Sequence, residues 1–213
     1  VSAGGTLIYP TSTPEAFLNL LDDVGDSDTP TVGVDAYKRC PAECRRMNAD
    51  AFLDAVKDEQ KTELSRLGSS KSLYADTEGE METDVVLGAV ADLLGHAEET
   101  VAEWAGETEG AAGDCFESVA ATLGETYGTV AGELGERERG DVPAAVAALD
   151  DGDTPARAGG LVGYLLVAEK KVGQAVGFFV GQAAPGAADT FRGVRDDLND
   201  AIHEAVAALG GVC

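Results

Sequence analysis

A chain of 213 residues, 44% of them hydrophobic, is long enough to bury one good core, with an appendage outside it. Its 39 acidic against 15 basic residues give a formal charge of -24, which argues against nucleic acid as a partner. Four scattered cysteines exclude a secreted disulfide scaffold, and no stretch is apolar enough for an ordinary membrane span.

The acids are spread along the helical patterns rather than gathered in a tail. Self-repulsion of that size weakens a compact state at low salt, but at about 1 M salt the Debye length falls to roughly 3 Å and the repulsion fades. The charge therefore reads as adaptation to the saline cytoplasm of a halophilic archaeon. Screening there also weakens the argument against nucleic acid, although no basic patch supports such binding. Cys40, Cys44, Cys115 and Cys213 fit a reducing compartment. The first five residues lack the basic flank and apolar run of a signal peptide. The most apolar stretch, 161–180, carries Glu169, Lys170 and Lys171 near its middle. A cytoplasmic location is expected.

Residues 1–46 are rich in Pro, Thr and Gly, cluster the bases Lys38, Arg39, Arg45 and Arg46, and show a helical pattern only over 14–21. This segment is expected to be a poorly structured extension, followed by a helical-bundle domain over 47–213. The first residue is valine, as when a GTG codon is taken as the start, while Met47 stands directly before a well-formed helix with Asn48 as a cap. The native protein is expected to begin at Met47. Cys40 and Cys44 could be half of a zinc site, but no second Cys or His pair stands at a finger or ribbon spacing.

Phe52, Val56, Leu64 and Leu67 predict a helix over 50–67, closed by Gly68 as a C′ glycine. A short irregular or helical link, 69–75, follows. Thr83 offers an N-cap for the first bundle helix, whose stripe is Val86, Ala89, Val90, Leu93, Ala97, Val101 and Trp104. The second, over 112–134, repeats the spacing with Phe116, Val119, Ala120, Leu123, Tyr127, Val130 and Leu134. The connection 106–110 is so short that these two must be antiparallel neighbours.

Residues 137–153 predict a longer crossing connection, with a short helix opening at Asp141-Val-Pro143 and running to about Leu149. Thr154 before Pro155 reads as an N-cap with proline at the first helical position. The third bundle helix, to about Val180, is apolar nearly all round and should be the most enclosed. Pro185 opens the fourth, with the stripe Phe191, Val194, Leu198, Ile202, Ala205 and Leu209, closed by Gly210-Gly211. The fold class is all-α: an antiparallel four-helix bundle with an additional N-terminal helix.

Four short stretches carry a resemblance: Leu64-Ser-Arg-Leu-Gly-Ser-Ser-Lys-Ser-Leu-Tyr-Ala75, Glu103-Trp-Ala105, Tyr127-Gly-Thr-Val-Ala-Gly-Glu-Leu134 and Val176-Gly-Phe-Phe-Val-Gly181. Through them the chain, from about Met47 to its end, resembles haloarchaeal proteins called rubrerythrin-like. That resemblance implies a ferritin-like bundle and, in true members of the superfamily, a carboxylate-bridged di-iron centre that handles oxygen or peroxide.

Such a centre needs a Glu from each of two helices and a Glu-x-x-His from each of the others, all pointing inward. The second helix carries Leu123 and Thr126 at the inward pair, with Glu125 on the opposite side. On the first, Leu93 and Ala97 hold the middle of the stripe, with His96 at one margin and Glu98 at the other. Asp200 and His203 match the i, i+3 spacing but fall on the face opposite Phe191, Leu198 and Ile202, as a solvated surface pair. Glu169 stands at the margin of the third helix as a boundary carboxylate, with Lys170 and Lys171 beside it. His96, Glu99, Glu169, Asp200 and His203 are thus the nearest approach to metal ligands, and they do not assemble a site. No nucleophile motif is present, and Cys115 reads as a small semi-buried hydrophobe. No catalytic residue and no resident cofactor are expected. The protein should act through contacts with another protein, a second copy being one candidate; the alternative is a rubrerythrin-type iron-binding redox or peroxide-detoxifying protein.

Overall fold

A computed structural model describes residues 49–135, 137–149 and 152–212, with side chains to 209. The helix expected over 14–21, the Cys40–Cys44 pair, the start at Met47 with its Asn48 cap, and Cys213 lie outside the described residues. Among the described residues every regular element is a helix. They are α1 (Ala49–Glu59), α2 (Lys61–Leu67), α3 (Ser70–Asp76), α4 (Thr83–Glu107), α5 (Ala111–Leu134), α6 (Ala144–Ala147), α7 (Thr154–Gly181) and α8 (Pro185–Val212).

The four long helices form the bundle, because each carries an apolar stripe that only the other three can cover. Helix α4 packs on α5, α5 on α8, α8 on α7, and α7 back on α4. Their directions follow from what touches what. Residues 108–110 reverse the chain between α4 and α5, with Gly110 at φ 76. The connection from α5 then returns along α4: Arg137 reaches Gly88 and Asp92, Gly140 reaches His96, and Arg157 at the head of α7 reaches Glu107. So α7 starts where α4 ends and runs down beside it, with the Tyr164 hydroxyl donating to the Leu93 carbonyl at 2.7 Å. Residues 182–184 then turn the chain up into α8, their amides donating to the carbonyls of Phe178, Val180 and Phe179. The course is up, down, down, up, with every neighbouring pair antiparallel.

The core is continuous from end to end. Trp104 meets Phe116 at 5.7 Å between ring centroids, and Phe179 stacks on Phe191 at 5.2 Å while meeting Phe178 edge to face at 5.1 Å. Helix α7 is the most enclosed: from 156 to 176 each residue is buried or half-buried, because α2, α3 and α6 cover its outer side. Lys171 binds Asp76 of α3, and Gln174 donates to the Gly68 carbonyl after α2. These polar side chains of α7 hold the N-terminal appendage.

Several helix ends differ from the sequence expectation. The helix predicted over 50–67 breaks at Gln60 into α1, which lies on α8, and α2, which lies on α7; one straight rod could not cover both. Gly68 has φ -75 and is an ordinary C-cap rather than a left-handed one. Thr83 is the first helical residue, after Glu82. Asp153 caps α7, its carboxylate accepting from the Ala156 amide at 3.1 Å, which moves Thr154 and Pro155 inside the first turn. Helix α8 runs on through Gly210-Gly211 to Val212, which two glycines lower in helix propensity but do not forbid.

Candidate functional site

The centre of the bundle is where a ferritin-type donor set would have to converge. The inward residues there are Leu93 and Ala97 of α4, Leu123 and Thr126 of α5, Leu165, Ala168 and Val172 of α7, and Leu198 and Ile202 of α8, each at most 3% exposed. Thr126 is the one hydroxyl in that group, and it donates within its own helix to the carbonyls of Thr122 and Leu123 at 2.9 and 3.0 Å. Apolar carbon gives iron no ligand, so this interior does not fit a di-iron centre.

The five sequence candidates fall in three places. His96 and Glu99 share a face of α4 turned toward the connection, with His96 Nδ1 4.0 Å from Glu99 Oε2. Glu169 pairs with Lys170 at 2.8 Å on the outer side of α7. Asp200 is exposed on α8, and His203, one turn on, lies 4.0 Å from Asp50 of α1. Among the described residues no three of His, Cys, Asp and Glu gather as a metal-holding group.

What the structure brings together instead is an ionic seat for the connection, centred on Asp92. This carboxylate lies off the apolar stripe, on the face of α4 it shares with Gly88 and His96, and the connection covers it so that it is 8% exposed. Its Oδ2 accepts from Arg137 Nη2 at 2.7 Å, and its Oδ1 accepts from Arg137 Nη1 at 3.2 Å and from the Gly140 amide at 3.0 Å. Arg137 Nη1 also donates to the Gly88 carbonyl at 3.0 Å. Two residues on, Arg139 binds Glu99 and lies over the Tyr127 ring at 5.2 Å. His96 Nε2 is 3.0 Å from the Gly140 carbonyl, and since a carbonyl only accepts, this nitrogen carries the proton and donates.

Three glycines make the close approach possible. A Cβ on Gly88 would stand 2.8 Å from Arg137 Nη1, one on Gly95 3.0 Å from the Tyr127 ring, and one on Gly140 2.5 Å from Asp92 Oδ2. The pairs are satisfied on both sides: both Asp92 oxygens are taken, and His96 spends its ring N–H on the backbone. The arrangement thus holds a segment in place and presents neither a nucleophile nor an open metal position. Removing the Asp92 carboxylate would cost on the order of 2–3 kcal/mol, the worth of hydrogen bonds between a buried carboxylate and a partly exposed guanidinium.

The one described cysteine, Cys115, is buried beside Phe116, Ala158, Leu161 and Ala205. Burial pushes its thiol up to about 11, with the Glu204 charge adding to the shift. At neutral pH it stays a protonated, unreactive thiol. Sequence reasoning missed Asp92, Arg137 and Gly140, because Asp92 lies off the apolar stripe with Gly88 and His96, on a face where an acid reads as solvated until the connection is in place. No family model, no curated protein and no solved structure matches the chain.

Proposed function

We propose that the protein is a ferritin-like helical bundle without a di-iron centre, acting in a saline cytoplasm through contacts with another protein rather than by catalysis. The observation that carries this is the set of apolar side chains at the central level of all four helices, Leu93, Leu123, Leu165 and Leu198 foremost. The up, down, down, up course with one long connection supports the ferritin-like assignment, because that course has one crossover between two helical hairpins. The scattered positions of His96, Glu99, Glu169, Asp200 and His203 support the loss of the centre. A surface rich in acid supports the saline setting.

The test is metal analysis of protein purified in concentrated KCl, then incubated anaerobically with ferrous iron and desalted. The expected result is iron far below one atom per chain and no acceleration of peroxide consumption. Stoichiometric iron with a carboxylate-bridged absorption band would overturn the proposal in favour of a rubrerythrin-type redox protein.

A further inference from the structure

We infer that residues 137–149 form a latched strap that opens as a unit while the bundle stays folded, with Asp92 as the latch. The inference concerns only this segment and stands whether or not the protein binds iron. The strap runs along α4 from Gly88 to His96 and then lays α6 against α4 and α7.

Two kinds of attachment hold it, and they differ in strength along its length. The first half, 137–143, is held by side-chain pairing: Arg137 and the Gly140 amide on Asp92, the Gly140 carbonyl on His96, and Arg139 on Glu99. The hydrogen bonds that tie Gly140 to the bundle thus come from two side chains of α4, with no backbone ladder to the helix among the described residues. The second half is anchored by the buried side chains of Ala145 and Val146 and by Leu149, half-buried against the core, while Ala144 and Ala147 are exposed. The bundle helices bury apolar stripes many times larger. A segment with few buried apolar groups, held mainly by polar bonds to one face of a single helix, belongs to the low-stability end of a structure, where opening precedes global unfolding.

The glycines argue that the closed position is a built one. Gly88 and Gly140 leave the space in which the guanidinium and the carboxylate lie, so the strap has a fitted seat rather than a loose resting place. Opening would uncover the strip of α4 and α7 that Ala145 and Val146 now cover. It would leave the aromatic stack of Phe179 and Phe191 untouched, since that lies in the α7–α8 half of the bundle.

Hydrogen exchange of the full chain, followed by mass spectrometry, tests this with Asp92→Asn, with Arg137→Gln as a second route to the same release, and with Glu138→Gln as an exposed control. The expected result is exchange of the strap amides about 10-fold or more faster in both latch variants, the factor set by loss of a charge-assisted pair. Core amides of α4, α5, α7 and α8 should keep their wild-type rates, and the control should behave as wild type. Equal acceleration in strap and core would show that the strap opens only with the whole molecule and would overturn the inference. Unchanged strap exchange in both variants would overturn the role of Asp92. Should one latch variant fail to fold, the other carries the same readout; loss of folding in both would itself refute a strap separable from the bundle.

Discussion

Replacing Gly88 and Gly128 by alanine, one at a time, makes the seat of the strap measurable as a difference of sign. Both glycines sit inside long helices, so each substitution gains about 1 kcal/mol of helix propensity. At Gly128 a Cβ meets nothing within 4 Å, and the gain should appear undiminished. At Gly88 the Cβ would stand 2.8 Å from Arg137 Nη1 and 2.9 Å from its Cζ, and the guanidinium must move. Moving it breaks the bond to the Gly88 carbonyl and misaligns the pair with Asp92, a loss of about 2–4 kcal/mol for hydrogen bonds to a charged group. The net effect is about 1–3 kcal/mol of destabilisation at Gly88 against about 1 kcal/mol of stabilisation at Gly128. For a domain of this size each kcal/mol moves Tm by about 2–4 °C, so the two variants should melt on the order of 10 °C apart. Far-UV circular dichroism of thermal and denaturant unfolding in concentrated KCl gives both numbers, with an unchanged m-value as the check on two-state behaviour. A Gly88→Ala protein as stable as Gly128→Ala would refute the description of Arg137 in its seat.

Two further outcomes follow from charge and burial. Because folding holds the Cys115 thiol at about 11 instead of 9.0, its contribution is fully present below pH 9.0 and is lost as pH rises toward about 11. Denaturant unfolding across that window should therefore fall less steeply for Cys115→Ala than for wild type, and identical slopes would contradict the burial. With a charge of -24, the unfolding midpoint should rise as KCl goes from about 0.1 M to about 1 M, where the Debye length shrinks from about 10 Å to about 3 Å. A midpoint indifferent to salt would remove the support for a saline habitat.

The four long helices were legible because a stripe such as Phe191, Val194, Leu198 and Ile202 is a local record of burial: spacing alone says which face turns inward. The connection was legible as a length and a short helix, and its place on α4 was not. That place depends on Arg137 meeting Asp92 forty-five residues earlier in the chain, and a pairing so distant leaves no period in the sequence. His96 was put at the margin of its stripe, which is correct, but its task there, donating to the Gly140 carbonyl, needed the strap to be in position first. The caps were misread by a residue or more for a related reason. Thr83 and Thr154 have the right chemistry, yet Asp153 competes for the second site and accepts the Ala156 amide itself. The apolar centre could be read directly, since Leu123 and Thr126 occupy the inward pair whatever their neighbours do.

The alternation of helix directions has an electrostatic consequence. At one end of the bundle α4 and α8 finish while α5 and α7 begin, and at the other end the roles are reversed. Each end therefore gathers two positive and two negative half-charges, and the peptide macrodipoles nearly cancel. Beyond the surface the four long helices contribute little net field, so an approaching molecule senses chiefly the side-chain charges, in which acids outnumber bases 39 to 15. Long-range steering is then a matter of how those acids are distributed around the barrel of helices, and neither end attracts one sign of ion over the other on the strength of its backbone.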